Sequence, residues 1–534
     1  MKDNKILNFY SFITLGLIAV LFTTPFLRYP YDIFYHLITI DNLYEAISHP
    51  IQKMVGIWTN DAYVMIPTGE YEEVALPRSR HAWHYVWAWV FDFLYIDSTQ
   101  MFLRAKIIHV VQTYISLFSI YYFSKVVIRN VFKRIDKLTV KWLAFWSAII
   151  WITVYATFSQ VYQQVWLMWY SVNYQITLPL FWYMLGLTLV LFLEKTSWKV
   201  KLFFALQILL ISRFILQVHS MEFLYYLMHL ALFSLIFIDK LYYFLKKYFY
   251  LVIPMIIAVI YMAKHYQPES SLILNYLSME KLPELHSKIM ESGLWLVNGH
   301  NRAYASVNEL MYFILYFSLF FILYLLWARY KKSGSTLNMR VLLFILLGSL
   351  FAFIPLYQFS GGLFSMITRM NVVNRFYYSS TLFVLIPIFT YALLQRYKLV
   401  YTHILIAFTL LSVIIFSKYS NTLHHNYYKN IISIKNSFSE RTVGYNLSEE
   451  QIATIGKKIK FYEKNNLSHL AIKYYAPADI AFVIKYMYKK DVDWEGRFGG
   501  MSYKTNYDLH KHNQSHRHIL FEIPTGVPHF VPYR

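Results

Sequence analysis

The sequence predicts an all-α polytopic membrane protein of about eleven transmembrane helices, followed by a small α/β domain outside the membrane. Three observations lead there. The 534 residues are 57% hydrophobic and only 15% charged, with a mean hydropathy of +0.37, whereas soluble globular chains carry about 25% charged residues. Apolar windows recur along the first 417 positions. Lysine and arginine collect in alternate loops between those windows. Such apolar content excludes disorder over most of the chain. The absence of cysteine excludes a disulfide scaffold and a thiolate metal site.

A span needs about 20 mainly apolar residues. The windows are 10–26, 105–127, 142–158, 176–193, 202–216, 223–237, 251–262, 311–327, 341–356, 382–394 and 404–417. The first lacks a small-residue cleavage site and runs straight into Arg28-Tyr-Pro-Tyr, so it is read as a retained span. Short basic loops lie on the cytoplasmic side. Loop 128–141 holds Arg129, Lys133, Arg134, Lys137 and Lys141, and loop 194–201 holds Lys195, Lys199 and Lys201. Lys240, Lys246 and Lys247 follow the sixth window, Arg329, Lys331, Lys332 and Arg340 the eighth, and Arg396 and Lys398 the tenth. Loop 159–175 has no basic residue. The expected N-terminus is therefore cytoplasmic and the C-terminus periplasmic, as in a bacterial inner-membrane protein.

Residues 1–417 form the expected transmembrane module, with outer loops 28–104 and 264–309. Residues 418–534 form the expected extracytoplasmic domain. There, 448–463 has helical spacing, with Ile452, Ile455, Ile459 and Phe461 on or near one face. Residues 469–475 and 518–523 read as strands, and 478–488 as a helix with Pro477 at its start. The net charge of +21 asks for an explanation. Much of it is cytoplasmic loop charge. From Lys418 onward, 17 Lys and Arg stand against 10 Asp and Glu, a surplus of 7 that suits anionic headgroups or an anionic glycan. No nucleic-acid partner is needed.

The 29 acids are unevenly spread. Nine lie between Arg28 and Arg104, and none between Tyr312 and Ser439. Chemistry is therefore expected on the outer face. Asp32 follows the first span directly. In a helix it shares a face with His36, which would aim a carboxylate and an imidazole at one place near the headgroups. Residues 36–51 read as an interfacial helix. The Trp-rich stretch Arg80-His81-Ala-Trp-His84-Tyr-Val-Trp-Ala-Trp-Val-Phe-Asp92 reads as a second one. Both could equally be structural collars.

One span, an outer aspartate, two interfacial helices and a second span resemble the opening of the GT-C glycosyltransferases. The likeness is to the protein mannosyltransferase and aminoarabinose transferase group. Residues 80–132 are similar to the family's interfacial helix, break (Asp97-Ser-Thr-Gln) and long span beginning near Phe102-Leu-Arg-Ala. His81 falls near the family's His-Pro-Pro element, without the prolines. Asn374-Arg375-Phe-Tyr-Tyr-Ser-Ser-Thr-Leu-Phe-Val-Leu-Ile-Pro is similar to its late Arg-Tyr…Pro segment. The resemblance implies a polyprenyl-phosphate sugar donor, a glycan, lipid or protein acceptor, and transfer outside the membrane. Two departures matter. Asp32 is followed by Ile33 rather than a second acid, and 159–173 lacks the acid of the metal-dependent members. No cofactor is named by these residues, and a divalent metal is in doubt.

Transfer from a lipid phosphate needs a base, cations for the leaving phosphate and a groove for the lipid. Asp32 is the expected base, with His36 as its partner or as a substrate contact. Arg213 lies within a span, where a charge is costly and has a reason. Arg369 and Arg375 lie in an outer loop against the positive-inside trend, and a guanidinium matches phosphate oxygens. His219 and Glu222 begin the sixth window and could orient the acceptor or pair with Arg213. His510, His512, His516 and His518 cluster in the tail, more simply as loop residues than as metal ligands. Asp491, Asp493 and Glu495 resemble a calcium loop but lack its downstream glutamate. The enzyme alternative is an O-antigen polymerase or ligase. The non-enzyme alternative is a transporter or lipid-glycan flippase, in which an even span count and internal symmetry are usual. Reporter fusions after residues 201, 340 and 534 test the topology. The first two should report a cytoplasmic location and the last a periplasmic one, whereas a cytoplasmic tail favours the flippase.

Overall fold

A computed structural model describes residues 82–96, 101–132, 134–151, 174–218, 220–243, 246–247, 282–295, 338–351, 358–367, 379–397, 449–465, 471–476, 492–494 and 516–520, with isolated positions such as Ile354, Phe376 and Tyr488. These residues are predominantly helical. Internal contacts divide the chain into two compact units. One comprises Met1–Tyr114, Val165–Gln175 and Asn426–Arg534, and the other Ile115–Gln164 and Ile176–His425. The boundary expected at 417 falls outside the described residues.

In the first unit, α1 (Ala82–Phe93) is followed by the start of α2 (Met101–Val131). The Trp83 indole donates to Gln112 Oε1 at 2.5 Å. The chain turns between α1 and α2 through Tyr95, whose φ of 54° lies in the left-handed region. Fully buried Arg104 fixes this turn. Its Nε and Nη2 both donate to the Ile96 carbonyl, at 2.9 and 2.5 Å, and its guanidinium lies 5.1 Å above the Phe91 ring. In the tail, α11 (Glu449–Lys464) precedes three strands. These are β1 (Ala471–Ala476), β2 (Val492–Trp494) and β3 (His516–Leu520), in the order β2-β1-β3. Both neighbours run parallel to β1, with Tyr474 opposite Val492 and Ala471 opposite His516. Burial pushes the Tyr474 hydroxyl up to about 12. The helix lies within two residues of the periodic stretch, whereas β2 falls in the segment that looked like a calcium loop. Residues 478–488 lie almost wholly outside the described set.

The second unit contains most of α2, then α3 (Lys137–Ile150), α4 (Tyr174–Leu193), α5 (Trp198–Val218), α6 (Ser220–Ile236), α7 (Leu282–Trp295), α8 (Met339–Ser349), α9 (Gln358–Ile367) and α10 (Leu382–Tyr397). Helices α2 to α6, α8 and α10 coincide with seven of the eleven apolar windows. The other four windows lie outside the described residues. Among those described, Ile176–Leu193 alone is long and apolar enough by composition to cross a membrane, with shorter apolar helices at Met221–Ile236, Met339–Ser349 and Leu382–Ala392.

Side-chain contacts fix the directions of these helices. Phe181 meets Tyr225 and Phe192 meets Phe233, so α4 and α6 are parallel. Helix α5 begins at Trp198, five positions after α4 ends at Leu193, so the chain turns back and α5 runs antiparallel to α4, joined to it where the Tyr183 hydroxyl donates to Gln207 Oε1 at 3.1 Å and the Ser212 hydroxyl to Met184 Sδ at 3.1 Å. Phe344 on α8 meets Phe233 and His229, and Phe132 meets Tyr391 near the end of α10. Helices α2, α4, α6 and α10 therefore run towards one end, and α5 and α8 away from it.

That end carries the polar ties. Arg129 pairs with Glu194, which also accepts from Asn130 at 3.2 Å. The Asn338 amide donates to the Val131 carbonyl at 2.7 Å. Arg340 bonds Asp239 at 2.6 Å and holds that carboxyl below its usual range. Asp136 caps α3 by accepting from the Thr139 amide and hydroxyl. Burial raises the Asp136 carboxyl, but these hydrogen bonds outweigh it and leave it below the usual range.

The helices touch through small residues and aromatic rings. A Cβ on Gly186 would stand 3.2 Å from Phe123 Cα and 3.1 Å from the Tyr122 ring, so glycine here lets α2 and α4 approach more closely than a side chain would comfortably permit. Outward-facing positions are apolar. On α5, Leu202, Phe203, Leu206, Leu209 and Leu210 are all exposed, Leu206 by 52%. Gly186→Leu should force α2 and α4 apart and cost about 1–3 kcal/mol. A fall of several degrees in thermal-unfolding midpoint, against little change for Leu206→Ala, checks this.

Candidate functional site at the ends of α5, α6 and α9

Helix α5 leaves the basic end at Trp198 and runs 21 residues, ~31 Å at 1.5 Å per residue. The turn into α6 therefore lies at the opposite end of the bundle. Of the expected site residues, two lie here and are described. Arg213 is exposed, five positions before the end of α5. Glu222 is 4% exposed and sits in the first turn of α6, where the positive end of the helix dipole favours a carboxylate. Asp32, His36, His81, His219, Arg369 and Arg375 lie outside the described residues.

Phe376, the described residue next to Arg375 in sequence, lies at this end. Phe376 is fully buried. Its ring lies 5.3 Å from Tyr225 on α6 and 4.7 Å from Phe364 on α9. Tyr225 is one turn along α6 from Glu222. The chain after Phe376 is then anchored by three hydroxyls. Ser379 donates to the Phe376 carbonyl at 2.7 Å, Ser380 to the Ser349 carbonyl at 3.1 Å, and Thr381 to the Ile345 carbonyl. The Ser380 and Thr381 bonds thus tie this segment to carbonyls near the C-terminal end of α8.

Beneath this layer, towards the basic end, sits a buried imidazole. His229 Nδ1 lies 2.8 Å from the Tyr225 carbonyl, the geometry of a ring N–H donating four residues back. Phe181, Trp182 and Phe351 surround the ring at 5.3, 5.6 and 4.8 Å. A Cβ on Gly348 would stand 3.3 Å from His229 Nε2 and 3.3 Å from Thr381 Cγ2. Glycine at 348 thus lets α6, α8 and α10 meet around the histidine.

Two helices that sequence reading left as loop also belong to the second unit. Helix α7 falls in outer loop 264–309 and α9 in the stretch before residue 376. They pack together, with the Gln358 amide donating to the Met290 carbonyl at 2.8 Å and the His286 ring tilted against Phe359 at 6.4 Å. Sequence reasoning also missed Tyr225, His229 and Phe376. A histidine in mid-window was the available signal for His229. The Ser-Ser-Thr run before an apolar window was the signal for the hydroxyl anchors. Among the described residues, no group of three or more His, Asp and Glu is placed to hold a metal.

The arrangement offers a buried carboxylate at a helix N-terminus, an exposed arginine on the adjoining helix, and an aromatic anchor for the residue next to Arg375. No family model matches the chain, and comparison with curated proteins found no match. The site therefore rests on its own geometry. Phe376→Ala should cost about 3–5 kcal/mol, the range for a buried phenylalanine. Thr381→Val, which keeps the shape and removes one hydroxyl bond, should cost about 1 kcal/mol or less. Unfolding midpoints in detergent that rank the two the other way would show that the hydroxyls, not the ring, hold this segment.

Proposed function

We propose that the chain is a polytopic membrane glycosyltransferase of GT-C type. It would transfer a sugar, with inversion, from a polyprenyl-phosphate-linked donor to a lipid, glycan or protein acceptor on the periplasmic face of a bacterial inner membrane. The observation that carries the membrane reading is the polarity of the α5–α6 hairpin. One end is bound into the layer formed by Arg129, Glu194, Asp239 and Arg340. The other, ~31 Å away along α5, presents Arg213, Glu222 and the anchored neighbour of Arg375. Exposed leucines lie between. This thickness matches the hydrocarbon core of a bilayer, and the basic end matches a cytoplasmic surface. A C-terminal domain of α/β type on the periplasmic side belongs to the same reading.

The chemistry follows from residue types. Asp32 takes the proton from the acceptor hydroxyl as that oxygen attacks the anomeric carbon. The bond from the anomeric carbon to the phosphate oxygen breaks, and the released carrier phosphate gains negative charge. Arg375, Arg369 and Arg213 are the cations assigned to that charge, because an arginine fork suits phosphate oxygens. His36 holds or orients the Asp32 carboxylate. His81, His219 and Glu222 are assigned to binding and orienting the substrates. The resemblance of residues 28–132 and 374–387 to GT-C enzymes supports the assignment to this reaction class.

Asp32→Asn should lower transfer from a polyprenyl-phosphate sugar in membranes by about 100-fold or more, since a positioned base contributes about 10²–10⁴-fold. Arg375→Ala should act mainly on donor use. Unchanged transfer by Asp32→Asn at normal protein level would remove Asp32 from the role of base.

A further inference from the structure

Helix α1 ends in a turn that glycine usually supplies. The Ile96 amide donates to the Phe91 carbonyl at 3.0 Å and the Tyr95 amide to the Asp92 carbonyl at 3.1 Å, the paired bonds of a Schellman cap. The residue that passes through the left-handed region in such a cap is most often glycine, because a Cβ is strained there. Here it is Tyr95, with a φ of 54°. Arg104 holds the strained turn from the α2 side through its two bonds to the Ile96 carbonyl, and both Ile96 and Phe91 are buried.

What the turn presents is apolar. Phe93, Leu94 and Tyr95 are 66, 46 and 89% exposed. Phe93 stacks 5.9 Å from Trp89, one turn back on α1. Leu103, beside Arg104 in sequence, is exposed too. Three consecutive large apolar side chains on a braced turn call for an apolar or interfacial surrounding. The length of α2 says which. Its charged residues are Arg104 and Lys106 at the start and Lys125 and Arg129 at the end, with none from 107 to 124. Those 18 residues rise ~27 Å, close to the hydrocarbon thickness of a bilayer. With Arg129 at the cytoplasmic boundary, the start of α2 and the turn before it fall at the headgroup layer of the opposite leaflet.

We propose that Phe93, Leu94 and Tyr95 form a finger that enters the headgroup–acyl boundary of the outer leaflet and pins the end of α1 to it. The finger rests on the membrane reading above. Tyrosine favours that boundary, where its ring has apolar surroundings and its hydroxyl reaches water. This accounts for tyrosine in the place of glycine, since the strained backbone aims a ring that has its use outside the fold. The three side chains carry no charge, so a lipid interface suits them better than an acidic or basic protein partner.

The chain has no cysteine, so single cysteines can carry a nitroxide at chosen positions. The test uses the full-length protein in bilayers of phosphatidylethanolamine and phosphatidylglycerol. Electron paramagnetic resonance reads how accessible each label is to oxygen and to a water-soluble nickel chelate. Leu206→Cys, on the exposed face of α5, supplies the hydrocarbon reference, and Lys240→Cys, exposed at the basic end, the aqueous one. Leu94→Cys should read between them, about 5–10 Å inside the headgroup boundary. Adding Tyr95→Gly relieves the backbone and keeps the turn. It should move the Leu94 label towards water while the unfolding midpoint stays equal or rises, which separates a lost anchor from a lost fold. A Leu94 label as open to nickel as that at Lys240 overturns the finger. So does one closed to both reagents, which would mean that protein covers it. A Leu94 depth unchanged by Tyr95→Gly overturns the part given to Tyr95. A Leu206 label open to nickel overturns the membrane reading itself, and the finger with it.

Discussion

The second unit depends on where its few charges can be placed. Among the described residues, each charged side chain lies within about two turns of a helix end or in a connecting loop. Arg129, Glu194, Asp239 and Arg340 gather at one end and bind four chain segments into a layer. Glu222 stands at the other end, buried in a first turn. Among the described residues, charge is absent from the middle, and the contacts there are left to aromatic rings, small residues and the enclosed imidazole of His229. Helix direction, contact chemistry and site location all follow from this sorting.

Packing in the middle is set by shape. On the membrane reading proposed above, hydrocarbon surroundings would give these apolar helices little hydrophobic reason to associate, leaving close approach and dispersion to carry the interaction. Gly186 brings α2 and α4 together, and Gly348 does the same for α8 against His229 and Thr381. The rings of Phe123, Trp182 and Phe383 then fill the space between α2, α4 and α10. The site end inherits this rigidity, because Phe376 and the hydroxyls of Ser379, Ser380 and Thr381 attach directly to the packed helices.

Much of the helical pattern was legible because apolar windows and basic loops alternate. Helix ends were less so. Helix α2 extends to Val131 and contains Arg129, so helical backbone continues past the apolar window into the polar loop. Helices α7 and α9 were missed for a different reason. Gly361 and Gly362 give α9 poor intrinsic propensity, and its partner is a segment about 70 positions earlier. Strand β2 is three residues long between acids, too short to show alternation. At the site, the residue type of Glu222 was readable and its burial was not. The Tyr225–Phe376 contact joins positions 151 apart, which leaves no local trace in sequence.

The parallel sheet of the tail has a consequence for the order of events during synthesis. Antiparallel strands can close through a two-residue turn, but parallel neighbours need a crossover. Ala471 therefore waits for His516, 45 positions further along the chain, and Tyr474 waits for Val492. Helix α11 and β1 emerge with no strand to pair with, and the central strand stays open on both edges until the crossovers have been made. If the tail is delivered across a bilayer as it is made, its sheet closes only after β3 has been translocated. Assembly of this region is governed by distant pairings, which are slow to form.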